Sequence, residues 1–278
     1  MSRDPFVIDG PTCLSFSGGR TSAYMLWRTL QANGGLPAEA IVSFQNTGKE
    51  REETLRFVEE CSQRWSVPIV WLEYRGTEAK FELVTFETAS REGEPFEALI
   101  RKRQYLPNPV KRFCTVELKV RTSHRYLRSI GWTEWESWIG IRADEARRFA
   151  RIGNQDYGKH ETRDAPLARA GVTKADIVAF WRAQPFDLGL PCHNGETPWG
   201  NCDLCFLKNP SKVASLIAEE PQRAVWWARM EAMGLASKPN GFLFRIDRPS
   251  YADMLQFAHD QRPLFADGQE DIECFCGD

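Results

Sequence analysis

The sequence is 278 residues long, 42% hydrophobic and 27% charged, with a formal net charge of −2. The length allows one large domain or a domain with a sizeable appendage, and the charge argues against a generally basic nucleic-acid coat but not against a local basic face. No stretch approaches the length of a membrane span and the N-terminus has no signal-peptide core, so we expect a cytoplasmic protein with no membrane partner.

The first half of the chain alternates short apolar strands with amphipathic helices. Alternating strands and helices predict a parallel sheet with right-handed crossovers, so the expected fold class is α/β with a doubly wound sheet. We predict a nucleotide-binding domain over residues 1–141. The predicted strands are 12–16, 40–44, 68–74 and 136–141, and the predicted helices are 19–35, 50–66 and 114–131.

Residues 142–278 differ in pattern from the first half. A capping signal at Thr173 opens one predicted helix, and two more helices are predicted over 210–220 and 221–234. A loop rich in Cys, Gly and Pro lies between the helix that begins at Thr173 and these two helices. The acidic C-terminal tail carries few structural signals. We predict a mostly helical, cysteine-containing C-terminal region with a mobile tail.

A Ser-Gly-Gly tripeptide lies between the first predicted strand and the first predicted helix. Glycines let the backbone approach a phosphate closely, and a helix start offers free N–H groups and a partial positive charge. We predict an anion-binding loop, with a glycine-rich turn that binds nothing as the alternative. Gly18→Val is expected to block nucleotide binding without unfolding the protein, because its side chain would occupy phosphate space. The candidate ligands are Ser17, Gly18, Gly19, Arg20, Thr21 and Ser22.

Five stretches of the sequence resemble one protein family. "SFSGGRTSAYML" resembles the pyrophosphate loop of the N-type ATP pyrophosphatases, and "FQNTGKEREETLRFV" resembles the second signature of their phosphoadenosine phosphosulfate (PAPS) reductase branch. "RFCTVELKV", "GIRADEARR" and "PLARAGVTKADIVAFW" are also similar to that branch. The resemblance extends from about residue 12 to about residue 210.

This resemblance implies an adenine nucleotide alpha hydrolase-like fold and a set of nucleotide-binding residues. Thr21 replaces an Asp that many relatives associate with magnesium, which leaves Mg²⁺ open as a cofactor. Arg142 is also expected to act in catalysis. The implied nucleotide-binding residues are Ser17, Gly18, Gly19, Thr21 and Ser22 in the loop, Asn46, Thr47 and Gly48 after the second strand, and Arg142 and Asp144 after the fourth.

Residues 101–128 are strongly basic, with nine Lys and Arg side chains against the single acid Glu117, so the stretch carries a charge of +8. A solvated helix face compensated by acids elsewhere is one interpretation. The other is a binding site for a polyanion such as a triphosphate, a phosphosulfate nucleotide or a nucleic-acid backbone. Lys111 and Arg112 are candidates for such contacts.

The eight cysteines are many for a cytoplasmic protein, in which disulfides are rare. A C-x-x-C pair at Cys202 and Cys205, with Cys192 before it and Cys114 further away, suits a 4Fe–4S cluster, a structural zinc or a redox dithiol. Adenylyl-sulfate reductases and the ATP pyrophosphatases of DNA phosphorothioation carry 4Fe–4S clusters, so the resemblance implies that cofactor. Cys114, Cys192, Cys202 and Cys205 are the predicted ligands, with Cys274 and Cys276 as alternatives to Cys192.

The tail segment "ECFCGD" is similar at its first two letters to the E-C-G-L-H segment of sulfonucleotide reductases, which holds their nucleophilic cysteine. By this resemblance Cys274 is a candidate nucleophile or sulfur carrier. A frayed tail with two idle thiols is the alternative.

Three functions are compatible with these features. The first is an ATP-dependent sulfur-transfer enzyme that activates an acceptor as an adenylate, releases pyrophosphate and takes sulfur from a donor such as a cysteine desulfurase. Its acceptor could be a nucleic acid or a small molecule. The second is a reductase of PAPS or adenylyl sulfate that attacks sulfur with Cys274 and releases sulfite. The third is a non-catalytic, nucleotide-binding adaptor. The intact Ser-Gly-Gly loop and the altered tail favour the first.

Overall fold

A computed structural model describes residues 3–152, 160–235 and 243–260. The described residues form a sheet of six strands, which are β1 (Thr12–Ser15), β2 (Ala40–Asn46), β3 (Ile69–Glu73), β4 (Glu82–Val84), β5 (Trp135–Ile139) and β6 (Glu161–Asp164). The strand order across the sheet is β4-β3-β2-β1-β5-β6. Every neighbouring pair is parallel except β3 and β4. The predicted α/β class with a doubly wound, mostly parallel sheet is confirmed.

Helices connect and flank these strands. They are α1 (Arg20–Asn33), α2 (Glu52–Arg64), α3 (Glu94–Arg103), a π-helical segment (Thr115–Val120) that runs directly into α4 (Arg121–Ser129), α5 (Ala146–Ile152), α6 (Pro166–Arg169), α7 (Lys174–Arg182), α8 (Pro210–Glu219), α9 (Ala224–Leu235) and α10 (Tyr251–Asp260). The predicted helix over 114–131 is therefore present, with a π-helical first part. Such segments are rare and often lie at functional sites.

The two faces of the sheet are covered by different helices. Successive side chains of a strand point to opposite faces, and in β1 this alternation is visible in the packing. Leu14 belongs to the main core together with Met25 of α1, whereas Cys13 packs with Leu127 of α4. Helices α1 and α4 therefore lie on opposite sides of β1, as a doubly wound sheet requires.

The sheet continues past residue 141, because β6 pairs in parallel with β5. The domain boundary at that residue stays a prediction. Beyond it, the capping signal at Thr173 is confirmed: its N–H and hydroxyl both donate to Asp176 at 2.7 Å, and α7 follows. The predicted helices over 210–220 and 221–234 correspond to α8 and α9. Among the described residues, no helix has the length and apolar character needed to cross a membrane.

Candidate functional site

The candidate site lies at the carboxyl ends of β1 and β5. The chain leaves β1 toward β2 on one side and returns in β5 on the other, so this edge is the switch point of the sheet, where open α/β folds bind ligands. The end of β5 packs tightly against the first turn of α1, since a Cβ on Gly140 would lie 3.2 Å from the Cα of Ser22. A cavity of about 380 Å³ opens there, lined by Ser17, Gly19 and Arg142 among others.

The Ser-Gly-Gly loop is shaped by a buried serine. The Ser22 hydroxyl accepts the N–H of Ser17 at 3.1 Å and donates to the carbonyl of Gly19 at 2.9 Å. Gly19 is the N-cap residue of α1 and no side chain caps this helix. The first-turn N–H groups therefore remain available to an anion, in the arrangement predicted from the sequence.

The two glycines of the loop have different roles. Gly18 has a φ of +73°, and a Cβ there would lie 2.6 Å from Cγ2 of Thr54 on α2. The expectation for Gly18→Val is therefore corrected: its side chain would strain the backbone and overlap the core, and it would not enter phosphate space. A Cβ on Gly19 would meet nothing nearer than the Ser17 hydroxyl at 3.7 Å. Gly19 is the position at which a side chain enters the loop without disturbing the core.

Thr54 is a site residue that the sequence analysis did not select. Its side chain is buried, lines the cavity, and has a hydroxyl with no hydrogen-bond partner. Buried polar atoms are nearly always paired, so an unpaired hydroxyl on a residue that lines the cavity makes Thr54 a candidate ligand contact. Its signal in the sequence was the Glu53-Thr54 pair inside the second family signature.

Arg142 lies beside the first turn of α1. Its guanidinium donates to the two carboxylate oxygens of Asp144 at 3.0 and 3.1 Å, and to the Thr21 hydroxyl at 3.3 Å. The hydrogen bond from Arg142 lowers the pKa of Asp144. The structure therefore brings Thr21, Arg142 and Asp144 together at the mouth of the loop, where the Arg142 guanidinium is paired with Asp144 and lies 3.5 Å from the Glu145 carboxylate.

Arg20 is held away from the loop by the chain that follows α7. Its guanidinium binds the carboxylate of Asp187 at 2.6 and 2.5 Å and the Thr197 hydroxyl at 2.8 Å. Its charge is compensated there, and its contact with phosphate stays a prediction. In this structure Arg20 connects the loop to residues 187–197.

Asn46, Thr47 and Gly48 do not line the cavity as the described residues define it. All three are buried. The Asn46 amide donates to Glu73 at 2.6 Å, and the Thr47 hydroxyl donates to Glu50 at 2.8 Å and lies 3.5 Å from the sulfur of Cys202. These three residues lie away from the cavity because the chain after β2 turns toward Cys202. Nucleotide contact by these residues stays a prediction.

The Cys202–Cys205 turn is anchored from two sides. Asp203 is 1% exposed; its carboxylate lies 3.4 Å from the Lys49 ammonium and accepts the indole N–H of Trp227 at 2.9 Å. The Tyr251 hydroxyl donates to the carbonyl of Leu204 at 2.5 Å. The loop after β2 and helices α9 and α10 thus fix the position of the turn.

Three of the predicted cysteine ligands lie close enough to influence one another. Burial raises the pKa of Cys114 to about 11, and the charge of Cys205 adds to this shift. Burial also raises the pKa of Cys202, together with the nearby Glu50 carboxylate. Burial opposes the charge of Lys119, but Glu50 and the three thiols outweigh it and raise the lysine pKa. Cys114, Cys202 and Cys205 therefore all lie within electrostatic range of Lys119.

Cys192 is placed differently. It is exposed and lines the cavity beside the Ser-Gly-Gly loop. Within the residues that the structure describes, no group of three or more His, Cys, Asp or Glu side chains is arranged to hold a metal ion. The four predicted ligands thus do not form a ready metal site, and the cluster stays a prediction. Cys274 and Cys276 lie outside the described residues.

A second, smaller cavity of about 210 Å³ lies on the α4 side of the same strand ends. Ser17, Lys119 and Thr115 line it, together with Glu161, His124 and Arg163. The buried Glu161 carboxylate contacts His124 at 3.0 Å and Arg163 at 2.9 Å. Burial opposes the charge of Glu161, but these two partners outweigh it and lower the carboxyl pKa to about 2.

The fold and the loop together define an α/β protein with a glycine-rich loop at the switch point of a mostly parallel sheet. No family model matches the sequence. The sequence is 31% identical over 217 residues, covering 74% of this chain and 69% of the relative, to the "Uncharacterized nin region protein ORF290" of Escherichia phage lambda. At this identity and coverage the chain belongs to the family of that protein.

One solved structure is also similar to this chain. It is the U34-tRNA thiolase NcsA from Methanococcus maripaludis with its [4Fe-4S] cluster, 14% identical, with 97% of this chain and 77% of that chain covered and a TM-score of 0.39.

Proposed function

We propose that this protein is an ATP-dependent sulfur-transfer enzyme that cleaves ATP to AMP and pyrophosphate. The observation that carries the proposal is the uncapped start of α1 at the switch point, with Gly19 open to the cavity and Arg142 above it. N–H groups and a guanidinium directed at one place suit the triphosphate of a nucleotide.

In the proposed reaction an oxygen of the acceptor attacks the α-phosphate of ATP. The bond between the α-phosphate and its bridging oxygen to the β-phosphate breaks, and pyrophosphate leaves with the bonding electrons. The N–H groups at the start of α1 and the guanidinium of Arg142 stabilise the negative charge that develops. The outer sulfur of a donor persulfide then attacks the acceptor atom that bears the activated oxygen, AMP leaves with that oxygen, and an added thiol reduces the resulting acceptor–S–S–donor bond to release the thiolated acceptor.

The cysteines belong to the sulfur side of the proposal. Cys114, Cys202 and Cys205 are the candidates for binding sulfur or a 4Fe–4S cluster, because all three thiols lie within electrostatic range of Lys119. Anaerobic purification followed by iron and zinc analysis tests the cluster. Brown protein with iron, lost in Cys202→Ala and Cys205→Ala, supports it, whereas stoichiometric zinc without iron contradicts it. Cys274 stays the candidate sulfur carrier.

The test of the proposed reaction is an anaerobic incubation with ATP or with PAPS. A sulfur donor, a cysteine desulfurase with cysteine, and candidate acceptors are supplied with ATP. The proposal expects pyrophosphate and AMP from ATP and no sulfite from PAPS. Sulfite from PAPS without AMP from ATP would establish the reductase instead, and neither product with retained ATP binding would favour the adaptor.

Gly19→Val is the variant for this assay, with Gly76→Val as its matched control. A Cβ has room at both positions, and neither has a positive φ. The proposal expects product formation to be lost in Gly19→Val and retained in Gly76→Val. Equal activity of the two variants would contradict it.

A further inference from the structure

We propose that a basic surface beside Cys114 binds single-stranded nucleic acid. The surface consists of Lys102, Arg103, Tyr105, Lys111, Arg112 and Phe113, from the end of α3 and the loop that follows it. As a statement about the acceptor of the reaction, this inference rests on the proposed function. As a statement about binding, it rests on the charge, order and aromatic content of the surface.

The charge of this region is only partly compensated. Glu117 is shared by three arginines, Arg103, Arg121 and Arg125. Lys102, Lys111 and Arg112 are exposed and have no carboxylate partner in the part of the chain that the structure describes. An uncompensated group of cations on a protein with a net charge of −2 marks a local site for a polyanion.

The loop that carries these cations is ordered by its own hydrogen bonds. The Asn108 side-chain oxygen accepts the N–H groups of Val110 at 3.0 Å and Lys111 at 2.8 Å. Its amide nitrogen donates to the Tyr105 hydroxyl at 2.7 Å. Lys111 and Arg112 are therefore presented from a fixed turn, which lowers the entropy lost on binding.

Aromatic rings lie between the cations. The rings of Tyr105 and Phe113 are 6.2 Å apart, with an interplanar angle of 42°. The Lys111 ammonium lies 5.8 Å from the Tyr105 ring, and the Arg103 guanidinium lies 5.8 Å from the Phe113 ring. Alternating cations and aromatic rings are the feature by which proteins hold unpaired bases, since the rings stack on bases while the cations contact phosphates. A duplex hides its base faces and cannot use these rings.

The surface is continuous with the reaction site. Phe113 directly precedes Cys114, and Thr115 lines the 210 Å³ cavity that also contains Lys119 and Ser17. A strand bound to the surface would therefore end beside both the cysteines and the Ser-Gly-Gly loop. This continuity identifies the strand as the acceptor and not only as an electrostatic contact.

The experiment measures fluorescence anisotropy of labelled oligothymidylate, oligouridylate of equal length and a duplex, at several salt concentrations and without ATP. We expect at least one of the two single strands to bind, with an affinity that falls as the salt concentration rises. The duplex should bind more weakly than that strand. The two homopolymer arms distinguish DNA from RNA. Tighter binding of the duplex, or no binding of either single strand at low salt, would overturn the proposal.

Two variants locate the binding surface. Lys111→Glu/Arg112→Glu should weaken binding about tenfold or more and reduce its salt dependence. The control, Arg56→Glu/Arg64→Glu, makes the same charge change on α2, where both arginines are exposed, each pairs with a glutamate four residues earlier, and Arg64 also lies 4.8 Å from the Phe186 ring. Equal weakening in the control would show an effect of net charge and overturn the proposal.

A third variant and a competitor test the recognition of bases. Phe113→Leu should weaken single-strand binding about tenfold, because a stacking face is lost, and should leave the salt dependence unchanged. Polyglutamate should displace the labelled single strand poorly. Displacement by polyglutamate equal to that by the unlabelled single strand would overturn the assignment to nucleic acid. ATP binding measured in the same samples separates this inference from the proposed function: a wild-type protein that binds ATP but neither single strand defeats only the inference.

Discussion

The Ser-Gly-Gly loop and the Cys202–Cys205 turn lie at the same end of the sheet but are built differently. The loop is held by a hydrogen bond between the Ser17 and Ser22 hydroxyls and by the packing of Gly18 against α2, and it opens onto a cavity. The turn is held by contacts between distant segments, and Asp203 at its centre is almost fully buried. Substitutions should therefore mainly change ligand binding at the loop and folding stability at the turn.

The largest stability effect is expected at Asp203. Asp203→Ala would leave the ammonium of Lys49 buried without its partner and remove the acceptor of the Trp227 N–H. Loss of one member of a buried pair costs about 3–5 kcal/mol. Urea unfolding should show this decrease, while Asp187→Ala should cost less, because the Asp187 carboxylate that pairs with Arg20 is 43% exposed. Equal decreases in the free energy of unfolding of Asp203→Ala and Asp187→Ala would contradict the contrast between the two regions.

A pH effect is expected at Glu231 behind the turn. Burial raises the pKa of Glu231 to about 7 from an ordinary 4.5, against the hydrogen bonds from the backbone N–H groups of Tyr251 and Phe244 and the charge of Arg248, while Asp253 adds to the rise. The folded state then binds more protons than the unfolded state, so stability should fall as pH rises from 4.5 to 7, by about 3 kcal/mol. Unfolding of Glu231→Gln at several pH values should lack this contribution. If the free energy of unfolding of Glu231→Gln fell with pH as steeply as that of the wild type, the assignment to Glu231 would be contradicted.

At the loop, the two glycines should separate stability from binding. Gly18→Ala places a Cβ against Thr54 at a φ of +73° and should cost about 1–3 kcal/mol. Gly19→Ala should change stability by less than about 0.5 kcal/mol, because its Cβ has room. Thermal unfolding of both variants measures the difference. Similar melting temperatures would show that Gly18 is not packed as described.

The smallest stability effect is expected at Thr54. Thr54→Val removes a buried hydroxyl that has no partner in the described structure, so stability should stay the same or rise slightly. ATP affinity should fall about tenfold, because a hydrogen bond to a charged phosphate is lost. Thr54→Ser keeps the hydroxyl and should retain the affinity. Unchanged affinity in Thr54→Val would remove this residue from the site.

The sequence was sufficient where a pattern is local. The strands β1, β2, β3 and β5 are short apolar runs, and the Ser-Gly-Gly loop follows directly from the end of β1. The edge strand β6 was missed because Glu161–Asp164 contains no apolar residue, and β4 because it is only three residues long. Neither has a strand's alternating pattern.

The parts of the site that were missed depend on contacts between distant residues. Arg20 is paired with Asp187, and Thr47 faces Cys202 rather than the cavity. Neither contact follows from spacing, because the partners are more than a hundred residues apart in the chain. Thr54 was missed for another reason: its role depends on a hydroxyl left unpaired by the folded core.

A calorimetric titration with ATP tests the central claim most directly, with wild type, Gly19→Val and Gly76→Val compared under identical conditions. The account predicts that wild type and Gly76→Val bind ATP with the same affinity and that Gly19→Val, folded to the same extent by circular dichroism, shows no measurable binding. Wild-type affinity in folded Gly19→Val would contradict the assignment of the nucleotide to the Ser-Gly-Gly loop.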